Sequence, residues 1–307
     1  MDFRLKDNVV VESQFGLLRL SCNTKQYEIE DYDQCFFQSV KDRKISNKNI
    51  NTEFFDFLKE EKLIIKDYQN KYTNTLLEKN ISFFESISIC SDSDLNTLQE
   101  EIKKKNILVI GCGGIGTVLM QNLIAFGIEN FTLVDFDTIS IDNLNRQLFF
   151  TTKDVGQYKV DILKNRLLEI NPCLNIDTIK EKISNKKDLI KFFSSYSFDL
   201  IVNCADKPYN ISKIISDFSV DTKQPFIEAA VGIETGCWGP IVTNKDNSEI
   251  SNEHTITGSI CSTNMIIGSH LSHDILTFLI NPDDELLYKR KIINFNKNYI
   301  EIEDSYA

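Results

Sequence analysis

The sequence is poor in the marks of secretion, membrane insertion and nucleic-acid binding. Its opening residues, MDFRLKDNVV, hold no apolar run that would serve as a secretory signal, and no later stretch reaches the length of a membrane-spanning helix. Basic residues are in deficit. Lys and Arg number 34 against 45 Asp and Glu, for a net charge of −11, which excludes nonspecific affinity for nucleic acid or an anionic bilayer. Local lysine runs such as Lys103–Lys105 read as solvated faces. Eight cysteines are present, at Cys22, Cys35, Cys90, Cys112, Cys173, Cys204, Cys237 and Cys261, and no two form a C-x-x-C pair. Without a secretory signal they read as reduced thiols, mostly packed as small buried hydrophobes, in a cytoplasmic protein. The phosphate-loop pattern G-x-x-x-x-G-K-[ST] is missing, as are internal repeats and low-complexity tracts.

What is present is an ordinary soluble composition, 42% apolar and 26% charged, in 307 residues, enough for one large domain and a small one. The chain is organised around Asn106–Asp137. An apolar run, Ile107–Ile110, has the character of a parallel strand buried on both faces. Four glycines follow at Gly111, Gly113, Gly114 and Gly116, then a helical pattern over Thr117–Phe126 closed by Gly127. A second apolar strand, Phe131–Val134, delivers Asp135 at its tip. Strand, glycine turn, helix, strand and acid in this order predict a nucleotide site. A turn without β-carbons lets backbone N–H groups approach phosphate oxygens, the helix N-terminus adds its positive end, and the acid can accept ribose hydroxyls.

Residues 1–78 read differently. Short strands at Val9–Val11, Leu17–Leu20, Tyr27–Ile29 and Leu63–Ile65, with short helices at Gln34–Val40 and Thr52–Glu61, predict a small α+β module of winged-helix type. Its acidic stretch Glu28–Asp33 argues against DNA, whereas an exposed strand edge can take a peptide by strand addition. The competing use is an oligomerisation or lid segment. Residues 79–307 form the second predicted domain, which begins with a polar amphipathic helix over Leu95–Lys105. After Asp137, helices at Lys159–Ile170, Asp188–Phe193 and Ile211–Val220 alternate with strands at Leu174–Ile179, Leu200–Asn203 and Phe226–Ala230. That alternation predicts a Rossmann-like, doubly wound, mostly parallel sheet with helices on both faces. Cys237–Thr243 reads as less regular, Asn264–Ile280 as a long apolar helix, and Ile292–Phe295 with Tyr299–Ile302 as a closing hairpin.

Polar residues gather just past the predicted carboxyl edge of this sheet, where open α/β sheets place ligands. IDNLNRQLFF holds Asn143, Arg146 and Gln147; VGQYKVD puts Lys159 at a helix start; NCADKP puts Asp206 just after a strand. A nicotinamide dehydrogenase has little use for that set, which makes this competing class the weaker reading. A triphosphate with a metal needs it: guanidinium clamps phosphate oxygens, ammonium is a mobile point charge, and a carboxylate is a hard ligand for magnesium. With no phosphate-loop pattern, attack by a carboxylate at the α-phosphate is the favoured chemistry, and it needs no general base.

GCGGIG, VDFD, DNLNRQ, DVGQYKV and NCAD, in this order, resemble the ubiquitin-activating superfamily and, within it, the ThiF-type adenylating enzymes, over about residues 79–280. KNISFFES at Lys79–Ser86, with the small N-terminal module, resembles the microcin C and pantocin branch, which adenylates ribosomally made precursor peptides. The resemblance implies ATP and Mg2+ as cofactors. It implies nucleotide contacts from Gly111, Gly113, Gly114, Gly116, Asp135 and Asp137, triphosphate contacts from Asn143, Arg146, Gln147 and Lys159, and a magnesium ligand in Asp206. It also implies a homodimer, with an N-terminal arginine of one subunit reaching the other's triphosphate; here Lys79 holds that place. The partner implied is a precursor peptide whose leader binds the N-terminal module.

Many relatives hold zinc through two C-x-x-C pairs. Only Cys237 and Cys261 lie in the C-terminal third, so no zinc is expected, and His270, His273 and Asp274 read as structural. Two outcomes stay open after adenylation. A thiol can take the acyl group, with Cys237 the cysteine to test, in a ThiF-type activation of a ubiquitin-like sulfur carrier. Alternatively the substrate's own nucleophile attacks, cyclising the peptide. A degenerate, noncatalytic scaffold is disfavoured by the intact motif set.

Overall fold

The computed structural model describes residues 2–46, 50–87, 94–243 and 258–303. It divides into two compact units, Met1–Glu101 and Ile102–Ala307.

The first unit runs β1 (Asp2–Leu5), β2 (Val9–Gln14), β3 (Leu17–Cys22), β4 (Lys25–Glu30), α1 (Cys35–Val40), β5 (Lys44–Ser46), α2 (Thr52–Glu60), β6 (Ile64–Lys66) and α3 (Glu78–Ile87), and α4 (Leu95–Lys103) begins in it and ends in the second. Two three-stranded sheets result, β5-β1-β6 and β2-β3-β4, so β2 and β4 are edges of the second. Phe3, Leu5, Leu18, Leu20, Val40, Leu58 and Ile64 form a common core. The acidic stretch has a local task. Buried Asp31 accepts the N–H groups of Phe36 (3.0 Å) and Phe37 (2.8 Å), capping α1 with a charge that suits a helix N-terminus. Buried Glu85 on α3 takes the Arg4 guanidinium, the Tyr68 hydroxyl (2.5 Å) and the Asp7 N–H (2.6 Å).

The second unit runs β7 (Asn106–Ile110), α5 (Gly114–Ala125), β8 (Asn130–Val134), α6 (Lys159–Ile170), β9 (Asn175–Ile179), α7 (Lys186–Phe193), β10 (Leu200–Asn203), α8 (Ile211–Thr222), β11 (Phe226–Val231), β12 (Thr235–Trp238), α9 (Cys261–Ile280), β13 (Arg290–Asn294) and β14 (Tyr299–Glu303). One sheet holds all eight of the described strands in the order β14-β13-β12-β11-β10-β7-β8-β9. The strands from β11 to β9 are parallel and the remaining pairs antiparallel, which is the predicted Rossmann-like architecture. Leu108, Ile110 and Ile201 pack under Leu189 and Phe192 of α7 and Ile214 and Phe218 of α8. On the other face α9 lies against α5 so closely that a Cβ on Gly268 would sit 2.8 Å from the Val118 side chain.

The chain leaves β7 for β8 and β9 on one side, then returns to place β10 on the other. The switch point therefore falls between β7 and β10. Register aligns Ile179, Val134, Ile110, Asn203 and Glu228 across the sheet, so the turns after β7, β8 and β10 open at one level.

Some elements differ from the sequence reading. β12 occupies the start of the segment read as irregular. Helix α5 begins at Gly114, a turn earlier than predicted, because its glycines are packed against neighbouring structure rather than exposed. β1 and β5, of 4 and 3 residues, were not predicted, being too short to show a period. The cysteines also differ: Cys112 is buried, Cys22, Cys204, Cys237 and Cys261 are half-buried, and Cys35 and Cys173 are exposed, all as free thiols. Packing as small buried hydrophobes thus describes Cys112 and, by the burial of its thiol, Cys204, while Cys90 lies outside the described residues.

Candidate nucleotide-binding site

The four turn glycines divide by what a side chain would meet. Gly111 has φ +92°, and a Cβ there would lie 2.7 Å from the Ala205 nitrogen. At Gly114 it would overlap the Asn264 side-chain amide, and at Gly116 the Gly111 carbonyl. Those three are required by the protein's own backbone and packing. Gly113 is not: its Cβ would find only the Gln147 amide nitrogen, at 3.6 Å. Gly113 is also the N-cap of α5 and offers no side chain to the first N–H groups of that helix, leaving them for an anion. Beside this opening, the Oε1 of buried Gln147 is sequestered from water without a hydrogen-bond donor. The Nε2 end of the same amide faces the opening and offers an N–H donor to an acceptor placed there.

Asp135 follows β8 and is buried. Its two oxygens accept the N–H groups of Cys112 (2.7 Å) and Asp137 (2.9 Å), so it ties the glycine turn to the β8 tip. Burial raises its pKa, opposed by nearby Lys159 and those two N–H bonds. Each oxygen keeps a lone pair, so a ribose contact is compatible with this duty.

Lys159, the first residue of α6, is buried, and its ammonium pairs with half-exposed Asp137 at 2.9 Å. The expected phosphate lysine and the second expected acid are therefore partners. Asn143 is buried in the short 3₁₀ turn Ile141–Asn145, where it completes a capping box with Ser140. Arg146 ends that turn, its guanidinium held by the carbonyl of Asp142 and the side chain of Asn145, both at 2.9 Å. Asp206 is exposed in the turn after β10. Backbone contacts bring that turn to the glycine loop, with the Cys204 N–H donating to the Ile110 carbonyl at 2.7 Å. The geometry thus gathers the glycine turn, Asp135, Gln147 and the Asp206 turn, with Lys159 and Asp137 beside Asp135. Asn143 and Arg146 share the Gln147 segment, and Lys79 is exposed on α3 of the first unit.

The sulfur groups sort clearly. Burial drives the Cys112 and Cys204 thiols well above their ordinary range, which disfavours either as a nucleophile. Cys237 on β12 is half-buried and accepts from the Arg290 guanidinium at 3.5 Å. His270 stacks on Trp238, ring centroids 4.6 Å apart, and the Asp274 carboxylate takes the Trp238 indole N–H (3.0 Å) and the Lys291 ammonium. That is a packed structural cluster. Sequence reasoning missed the Asn264 wall against Gly114 and a buried pair, Asn203 with Glu228; a lone carboxylate in the apolar strand FIEAAV was the available signal.

A doubly wound α/β unit with a glycine turn at its switch point defines a nucleotide-binding class. The family model for the ThiF family matches residues 86–305, and the chain belongs to that family. It is 38% identical over 110 residues to the molybdopterin-synthase adenylyltransferase of Haemophilus influenzae, covering 35% of this chain and 43% of that protein. It is 32% identical over 178 residues to the adenylyltransferase and sulfurtransferase UBA4 of Meyerozyma guilliermondii, covering 56% and 41%. The chain thus spans under half the length of these curated relatives. In fold it matches E. coli MccB, solved with ATP, over 99% of this chain and 97% of that one, with TM-score 0.83 and 22% identity. MccB, a microcin C7 biosynthetic enzyme, has also been solved with N-formylated MccA.

Proposed function

We propose that the chain is an ATP-dependent adenylyltransferase that activates a carboxylate on a ribosomally synthesised precursor peptide. The observation that carries this reading is the opening over Gly113, bounded by the uncapped start of α5 and the amide nitrogen of Gln147. It is a cradle in which a side chain would meet almost nothing of the protein.

In this reading, N–H groups of the glycine turn and α5 take phosphate oxygens, and Asp135 takes the ribose. Arg146 and Lys159 neutralise the triphosphate, Lys159 exchanging its contact with Asp137 for a phosphate, while Asn143 and Gln147 orient it. Asp206 supplies a hard oxygen for Mg2+, which when bound neutralises charge on the phosphates. A carboxylate oxygen of the peptide attacks the α-phosphorus. The bond to the bridging oxygen breaks, pyrophosphate leaves with its electron pair, and an acyl-adenylate remains. An intramolecular nucleophile then displaces AMP and cyclises the peptide or modifies it in a related way. Residues 1–78 hold the leader by strand addition to the free edge of β2-β3-β4. The working form is a cytoplasmic homodimer, Lys79 of one subunit serving the partner's triphosphate. The complex of the microcin C7 biosynthetic enzyme MccB with N-formylated MccA supports the choice of substrate class.

The second reading is activation of a ubiquitin-like sulfur carrier. The molybdopterin-synthase and sulfur-carrier adenylyltransferases among the relatives favour it. It requires a carrier ending in Gly-Gly and turnover that fails in Cys237→Ser. The test is pyrophosphate release from ATP and Mg2+, driven either by the product of a short reading frame neighbouring this gene or by such a carrier. Asp206→Ala is expected to lower the peptide-driven rate at least a hundredfold while the folding transition stays in place. Unchanged release in that variant, or release driven by the carrier alone, defeats the peptide reading.

A further inference from the structure

Glu228 lies on β11, a strand whose sequence FIEAAV is otherwise apolar, and its side chain is 7% exposed. Register puts it level with Asn203, the last residue of β10, and Asn203 level with Ile110, the last residue of β7. The Nδ2 of Asn203, itself 2% exposed, donates to Glu228 Oε2 at 3.0 Å. The Oδ1 of the same Asn203 accepts the Ala205 N–H at 3.1 Å. Ser212, at the start of α8, is a second hydrogen-bond partner of the Glu228 carboxyl. Ala205 is the residue before Asp206, and its nitrogen fills the space a Cβ on Gly111 would take. A chain of two hydrogen bonds therefore runs from a carboxyl inside the sheet to the backbone of the turn that presents Asp206 and closes against the glycine loop.

Burying a carboxyl is expensive, and an aliphatic side chain would suit a strand covered on both faces. Burial does raise the Glu228 pKa, against the hydrogen bonds from Ser212 and Asn203 and the charge of Arg290. Its oxygens give Asn203 a fixed acceptor. With the Asn203 amide so oriented, the opposite end of that amide can face only the turn.

We infer that Glu228 is a positioning residue: acting through Asn203, it sets the backbone of the 204–206 turn so that Asp206 meets the metal of the bound nucleotide. This rests on the adenylation reading above, which gives Asp206 its magnesium. The role is indirect, since the hydrogen-bond chain from Glu228 reaches the turn only through Asn203.

The test is calorimetric titration of the full chain with ATP, once in Mg2+ and once in EDTA. The wild type is expected to bind ATP more tightly in Mg2+. Glu228→Leu is expected to lose about tenfold of that Mg2+-dependent gain, the equivalent of one displaced hydrogen bond, while its affinity in EDTA stays within about twofold. Glu228→Gln, which keeps an oxygen for the Asn203 amide, is expected to restore most of the gain. A purely structural role would move both titrations together. The inference is overturned if Glu228→Leu keeps the whole Mg2+ gain, or loses affinity equally in EDTA. Should Glu228→Leu fail to fold, Asn203→Leu breaks the same chain at its middle and is judged by the same two titrations. A wild type with no Mg2+-dependent gain defeats the adenylation reading itself; a normal wild type with an indifferent variant defeats only the role of Glu228.

Discussion

Four glycines in GCGGIG look equivalent as letters, yet they do different work. Gly114 and Gly116 are small because protein atoms fill the space beside them, and Gly111 because its φ of +92° and the Ala205 backbone demand it. Only Gly113 faces an opening. Gly113→Ala is therefore expected to leave thermal unfolding within about 0.5 kcal/mol of wild type, in the range of substitutions that break no contact. Under the adenylation reading its ATP affinity should fall at least tenfold, because the methyl group enters the space that reading gives to the phosphates. Gly114→Ala, in contrast, forces the buried Asn264 side chain aside and should cost about 1–3 kcal/mol of stability. Paired measurements of unfolding and ATP titration separate the two; equal losses of affinity and stability in Gly113→Ala contradict this division. The contrast also marks what was legible at this scale. The glycine pattern, Asp135 and the NCAD turn were readable because local chemistry names them. The contact between Lys159 and Asp137 was not, since it joins residues 22 apart across a loop whose path no period encodes.

Elements were legible where their own period was strong. Lys159–Ile170 and Leu200–Asn203 stand where the sequence put them, one by its amphipathic pattern and stop at Pro172, the other by an unbroken apolar run. Elements set by tertiary contact were not. Helix α5 takes in Gly114 and Gly116, poor helix formers that are accepted because α9 and the β7 turn need close approach. Gly268 on α9 is the reciprocal case, with the Val118 side chain 2.8 Å from the place of a Cβ and the Ile115 carbonyl at 3.2 Å. Two effects compete in Gly268→Ala. Alanine favours the helix by about 1 kcal/mol. Overpacking between two helices that form much of one face of the sheet costs about 1–3 kcal/mol. The contact involves Cβ and backbone atoms rather than the free end of a flexible side chain, so overpacking should win. The expected result is a lower unfolding midpoint in denaturant with an unchanged slope; a rise in the midpoint shows that α5 and α9 separate at little cost.

At the scale of the whole molecule, each compact unit has its own core and its own free surface. The first carries sheet edges at β2 and β4, and the second carries the glycine turn. A net charge of −11 gives the chain no general affinity for polyanions, and under the adenylation reading a precursor is held by shape and backbone pairing. Under the adenylation reading, recognition of the leader and activation of the carboxylate are separate events carried by separate units. Binding of a synthetic precursor to the full chain should then survive Gly113→Ala with its Kd within about threefold, since that reading gives the leader to the first unit and the nucleotide to the second. Pyrophosphate release from the same mixture should fall at least tenfold, following the loss of ATP. Fluorescence anisotropy of the labelled peptide reads the first quantity and a coupled pyrophosphate assay the second. A parallel loss of both would mean that the leader is ordered only when nucleotide is bound, and that recognition and activation share one surface.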